Sequence, residues 1–177
     1  MSFDLYFIAY EQTPPSAAMA EEIRMVEEEI PRPAFDAERT AVITDLKGIY
    51  PQYVFSPSEN GEQFGGLLSC ESCDLPDVNF WPSHAMVEMG FRIDPEWSQK
   101  TLVSIANTFE RHHFAIYDPE NEKIWTAAQL ASWLQGAVAE EQRMVKEIQE
   151  GGVEFKETED GVIEYKIRSK RPWWRLW

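Results

Sequence analysis

The stretch from Phe3 to Tyr10, FDLYFIAY, is short, aromatic and apolar on both faces. A half-buried strand alternates apolar with polar residues, because its side chains point to opposite faces in turn. A strand apolar on both faces belongs at the centre of a sheet. The rest of the chain is read around that strand.

Pro14-Pro15-Ser16 opens a helix in which Met19, Ile23, Val26 and Ile30 draw one apolar stripe. Glu21, Glu22, Glu27, Glu28 and Glu29 fall on its remaining surface, and Pro31 and Pro33 stop it. A second helix starts at Asp36, with Val42, Leu46 and Ile49 inward. Tyr53-Val54-Phe55 reads as a strand, Asn60-Gly61 as a hairpin signal, and Phe64 to Leu68 as the returning partner. Ser69 to Ser83 reads as a long irregular loop. Ala85, Val87, Met89, Phe91 and Ile93 then alternate with Met86, Glu88, Gly90 and Arg92, a strand pattern. Asp94 caps the next helix, with Pro95 at its first position and Leu102, Ile105, Ala106 and Phe109 inward. His113 to Tyr117 makes another strand, closed by Asp118-Pro119. Thr126 to Gln129 is a capping box, opening a long helix that Gly151-Gly152 ends. Val153 to Thr158 and Val162 to Arg168 flank Asp160-Gly161 as a terminal hairpin.

This order suits an α+β fold, a ferredoxin-like antiparallel sheet with helices on one face, plus a C-terminal long helix and β-hairpin. Residues 1–125 form the expected core domain. Residues 126–177 add the helix, the hairpin and a basic Trp-rich tail expected to pack on that core.

Charge is the second constraint. The chain has 31 acids against 16 bases, a net charge of -15 over 177 residues. From Arg168 to Trp177 there are four bases (Arg168, Lys170, Arg171, Arg175), no acid, and three tryptophans. Removing that +4 from -15 leaves -19 on the first 167 residues, more than solubility requires. Such a body repels nucleic acid and anionic membrane and attracts basic proteins. Apolar residues at 44% and aromatics at 13% place it among globular proteins despite the charge. No apolar run approaches a membrane span, and Met1-Ser2-Phe3-Asp4 lacks the basic start of a signal peptide, so a cytoplasmic location is expected.

Residues that could carry chemistry have structural readings beside them. Cys70 and Cys73 form one C-x-x-C, too few for a tetrahedral zinc site, and Glu71 and Asp74 would raise rather than lower the thiol pKa. They read as two ordinary thiols in a loop. Asp118 precedes Pro119, where aspartate initiates turns. His112 and His113 close a helix, where the dipole favours a cation. His84 and Glu88 are four apart, a metal pair only on a helix, and the pattern around them is a strand. Gly65-Gly66 and Gly151-Gly152 lack the context of a phosphate loop. No cofactor or metal is expected. The candidate partner-binding residues are the acidic groups Glu27, Glu28, Glu29, Glu140 and Glu141, and the loop residues Asp74, Asp77, Phe80 and Trp81, which put aromatic anchors in an acidic rim.

Ser2 to Phe7 (SFDLYF) together with Phe114 to Pro119 (FAIYDP) resembles a widespread group of small bacterial proteins. Those open on a D-L-Y-F strand and carry a late Y-D-P strand, and some look like the immunity partners of secreted antibacterial toxins. The match covers these two strand segments, and it implies no catalytic residue. With the charge, it implies an acidic inhibitor that caps the active site of a basic, nuclease-like or nucleotide-utilising toxin. Two alternatives stand beside that expectation. One is a small enzyme with a site near Asp118, His84 and Glu88. The other is an assembly subunit that uses the Trp-rich tail.

Overall fold

A computed structural model describes residues 2–25, 33–71, 75–90, 95–149, 153–157 and 163–167. The chain divides into two compact units, Met1–Trp133 and Leu134–Trp177. In the first, strand β1 (Ser2–Ala9) is followed by helices α1 (Ala17–Arg24) and α2 (Asp36–Ile49). Then come β2 (Val54–Pro57), β3 (Gly66–Ser69), β4 (Val78–Phe80) and β5 (His84–Gly90). Helix α3 (Pro95–Arg111), β6 (Phe114–Asp118) and β7 (Lys123–Trp125) follow, and α4 (Ala127–Gln149) runs on into the second unit. There β8 (Val153–Glu157) and β9 (Ile163–Ile167) form a two-stranded antiparallel hairpin, as the sequence predicts.

The seven strands β1 to β7 make one open antiparallel sheet in the order β2-β3-β4-β5-β1-β6-β7. β1 lies inside it, between β5 and β6, as its two apolar faces require. On one face Phe7 stacks on Phe109 of α3 at 4.0 Å, and Phe80 and Phe114 pack on the same ring at 5.9 and 5.2 Å. Leu102, Ile105, Ala106 and Phe109, the stripe expected of α3, are fully buried. Val42 and Leu46 of α2 are buried too, and the Asp45 carboxylate joins α2 to the end of α3 through His112 Nε2 at 2.9 Å. His113, at φ 61°, ends that helix in the left-handed conformation usually left to glycine.

The other face of β1 has its own cover. Ile8 and Tyr117 are buried with Ala20 of α1, and Tyr6, Ala17 and Ile23 pack around them. The helices therefore sit on both faces of the sheet rather than on one. Ile8 would otherwise lie in water, and α1 removes it from there and covers part of Tyr6. The inward stripe of α1 is Ala20, buried, flanked by the partly buried Ala17 and Ile23, whereas Met19 is 55% exposed, so the stripe expected through Met19 is rotated. Ser16 caps this helix by accepting from the Met19 amide at 3.3 Å. Val26 and Ile30 of the expected stripe lie outside the described residues. Ile49, expected inward, is 45% exposed.

Two strands escape the sequence reading. β4 lies inside the stretch expected to be irregular, and β7 follows the turn after Asp118. Both are three residues long, too short for periodicity to register. Thr126 and Gln129 form the expected capping box in full. The Thr126 amide donates to Gln129 Oε1 at 2.9 Å and the Gln129 amide to Thr126 Oγ1 at 3.2 Å. Among the described residues, no helix is long and apolar enough to cross a membrane.

Candidate functional site

Cross-strand neighbours in an antiparallel sheet share a face. The register aligns Ser56, Leu67, Asn79, Met86, Tyr6, Tyr117 and Ile124 in one row across all seven strands. At one end of the row α1 lies over Tyr6 and Tyr117. At the other end Ser56, Leu67 and Asn79 line a groove of about 320 Å³, bounded also by Pro57, Ser58, Glu59, Phe64 and Trp81. A volume of that size sits at the lower end of ordinary ligand clefts, roughly 300 Å³ and upward.

The groove is held from several sides. Gly65 has φ 102°, a conformation that side chains resist, and a methyl group there would collide with the Phe80 carbonyl. A methyl on Gly66 would collide with the Ser56 carbonyl. The glycine pair, which has no phosphate-loop context, lets β3 approach β2 and β4 closely. The loop before it is tied down by Arg39 of α2. That residue is only 5% exposed and donates Nη2 to the Glu62 carbonyl at 2.9 Å and to Asp36 at 2.7 Å. Tyr53, also buried, donates its hydroxyl to the Pro76 carbonyl at 2.7 Å and anchors the approach to β4. Burial raises the pKa of that phenol above its ordinary value.

Trp81 is the aromatic wall. Its ring stacks on His84 at 4.7 Å and 11°, and its amide donates to the His84 carbonyl at 2.8 Å. His84 itself is buried, with Ser83 Oγ 3.3 Å from Nδ1 and the Tyr6 ring 6.2 Å away. Burial, with the Arg24 cation adding to it, pushes its pKa down to about 4. The imidazole under Trp81 is therefore neutral at physiological pH.

Beside His84 lies a second polar group on the same face. Glu21 of α1 accepts from Arg24 Nε and Nη2, at 2.5 and 2.6 Å, and from the Tyr117 hydroxyl at 2.8 Å. Arg24 also lies 5.1 Å over the Tyr6 ring. The Arg24 hydrogen bond holds the Glu21 carboxyl below its usual range, while burial and the Glu21 carboxylate push Tyr117 up to about 12. The arrangement fastens α1 to the sheet, and its carboxylate and guanidinium are directed at each other.

The residues singled out in the sequence separate in space. Phe80 is 4% exposed and stacked on Phe109, so it belongs to the core and is no surface anchor, although it also borders the groove. It faces α3 because its neighbour Asn79 takes the open face. Trp81 lines the groove and is half-buried. Asp77 and Glu140 are exposed, and Glu140 is paired with Arg143 one turn along α4. Glu27, Glu28, Glu29, Asp74, the Glu141 side chain and the tail from Arg168 to Trp177 lie outside the described residues.

Asp118, His84 and Glu88 do not converge. His84 pairs with Ile8 near one end of β1 and Glu88 with Asp4 near the other. Asp118 alternates with Tyr117 and so falls on the face opposite His84. Fully buried, it accepts from the Glu120 and Asn121 amides, the Asn121 side chain and Trp125 Nε1 at 2.6 to 3.2 Å. It is the turn residue the sequence suggested. Cys70 is disulfide-bonded rather than a free thiol, and Cys73 lies outside the described residues. Among the described residues, no group of three or more His, Cys, Asp or Glu is placed to hold a metal ion.

Asn79, Ser58, Glu59 and Phe64 were not legible as site residues. Pro76 and Pro82 frame β4 and argue for a loop, and only the Val78-Asn79-Phe80 alternation hinted at a strand with Asn79 on the far face. No family model, curated protein or solved structure matches this chain.

Proposed function

We propose that this chain is an acidic protein-binding inhibitor of the immunity type, acting in the cytoplasm. It would neutralise a basic, nuclease-like or nucleotide-utilising bacterial toxin by capping its active site. The observation that carries the reading is the charge of -19 on the first 167 residues. Carboxylates presented at fixed spacing would occupy the places of substrate phosphates and speed the encounter with a basic partner. Exposed carboxylates at Glu11, Glu22, Glu59, Glu62 and Asp77 supply part of that charge along the first unit. The same charge disfavours nucleic acid and anionic membrane as partners.

We also read the four inner strands as a ferredoxin-like core, with β2, β3 and β7 as additions at its edges. The order β4-β5-β1-β6, antiparallel throughout, supports that reading.

The test is capture of partners from the native host, followed by kinetics on the purified pair. The reading expects a 1:1 complex with a basic protein. Its association rate should fall at least about tenfold between roughly 50 and 500 mM salt. A partner that is acidic or neutral, or an association rate indifferent to salt, refutes it.

A further inference from the structure

Resting on the reading of the chain as a binder of a basic protein, we propose that the groove between Trp81 and Glu59 receives an arginine side chain of that partner. Among the described lining residues the only charge is the Glu59 carboxylate, and there is no lysine or arginine. An anionic ligand would find no counter-charge there, whereas a cation would find one. The apolar part of the lining is Trp81, Phe64, Leu67, Phe80 and Pro57. Indole is the best of the side-chain faces for holding a cation, and a guanidinium, flat and weakly hydrated, stacks on it better than an ammonium does. The polar part is rich in acceptors. Asn79, Ser58 and Glu59 can take hydrogen bonds from a group that brings five donors and no acceptor.

The wall is also preorganised for that task. Trp81 is stacked on a buried His84 whose pKa is lowered to about 4, so at physiological pH no imidazolium beneath the indole repels an incoming cation. Gly66 borders the groove, Gly65 behind it packs against the Phe80 carbonyl, and Arg39 fixes the loop carrying Phe64. A site held in this way loses little entropy on binding.

The test begins with N-acetyl-arginine amide titrated into the isotope-labelled full chain and followed by NMR. Saturable shifts of the Trp81 indole, the Asn79 side-chain amide and Gly66 are expected. Glu59→Gln and Trp81→Leu should each weaken binding at least about fivefold. N-acetyl-citrulline amide, the neutral isostere, should bind about tenfold more weakly than the arginine probe. Absence of saturable shifts, or equal binding of the citrulline probe, overturns the proposal. The captured basic partner then separates the two ideas. If it binds wild type and Glu59→Gln equally, the arginine site is wrong and the inhibitor reading survives. If no basic partner exists while the arginine probe still binds the groove, the inhibitor reading fails and the cation site stands.

Discussion

The two halves of the seven-stranded sheet share one covered face and differ on the other. At β5, β1 and β6 both faces are packed, with Phe7 and Ile116 buried on the α3 side and Ile8 and Tyr117 buried against α1. At β3 and β4 the α3 side is equally closed, since Leu68 and Val78 align with Val87 and Leu5 in one fully buried row, which Phe55 of β2 continues as a half-buried edge. Their other side carries Ser56, Leu67 and Asn79, which are exposed or half-buried. The difference is chemical before it is geometric. Along a single cross-strand row, two tyrosines and an isoleucine give way to a serine, a leucine and an amide. Burial is double-sided where helices cover both faces, and the half that does without the second cover is the half with a groove.

The strongest way to break this comparison is to remove Phe109. Its ring meets Phe7, Phe80 and Phe114, so it joins both halves on their shared face. Phe109→Ala is expected to cost about 3–5 kcal/mol in urea denaturation, the range for large aromatic cavities in a core. A loss under about 1 kcal/mol would mean that the shared face is not the main store of stability.

Strands β1, β2, β3, β5 and β6 were legible in the sequence, whereas the α1 cover, the short strands β4 and β7 and the groove were not. FDLYFIAY announces a strand buried on both sides, and the spacing of Leu102, Ile105, Ala106 and Phe109 announces a helix facing a core. These signals are dense because hydrophobic burial repeats them every few residues. The groove depends instead on pairings between distant segments. Asn79 reaches the same face as Ser56 only through β3, and Glu59 joins them through a loop tied by Arg39. Local periodicity carries no trace of such pairings. Trp81 was noticed for its chemistry, yet its partner in the sequence, Phe80, proved to belong to the core. Two neighbouring aromatics in a strand point opposite ways, and composition does not say which of them is outward.

The next test lies at the seam between the halves. In the unfolded chain the His84 imidazole has its ordinary pKa of 6.5, and in the folded protein burial lowers it to about 4. Between those values the unfolded chain takes up a proton that the folded protein does not. The contribution of a neutral His84 is therefore complete above pH 6.5 and is lost progressively as pH falls towards 4. A shift of that size corresponds to a change on the order of 3 kcal/mol. Glu21 and Asp45 are held below their usual range, so their contributions fade only at lower pH, beneath 4.5 and 3.8. Urea midpoints measured from pH 7 to 4 should fall for wild type and stay nearly level for His84→Phe. Parallel profiles would show that His84 is not the group responsible.

A smaller effect is expected from Gly65→Ala, which changes backbone and not core. The φ of 102° and the Phe80 carbonyl together oppose a side chain there, so a loss of about 1–3 kcal/mol is expected. The affinity of the groove for N-acetyl-arginine amide should drop with it, because the Gly65-Gly66 backbone must move. Stability lost with the groove's affinity intact would separate the glycine from the site.

The finest discrimination is made by Leu67→Ser, placed in the row between Ser56 and Asn79. The side chain lines the groove and is only half-buried, so it has surrendered only part of its contact with water. Truncating it should cost no more than about 1 kcal/mol, well below the cost of a fully buried leucine. The same change on the α3 side, Leu68→Ser, strikes a fully buried position and should cost about 3 kcal/mol or more. These neighbours differ in which face they occupy and share everything else about the strand. Equal losses for the two would mean that the open face is closed in solution, and that the groove is not free to receive a partner. A large difference would locate the available surface on one side of β3, where arginine recognition requires it.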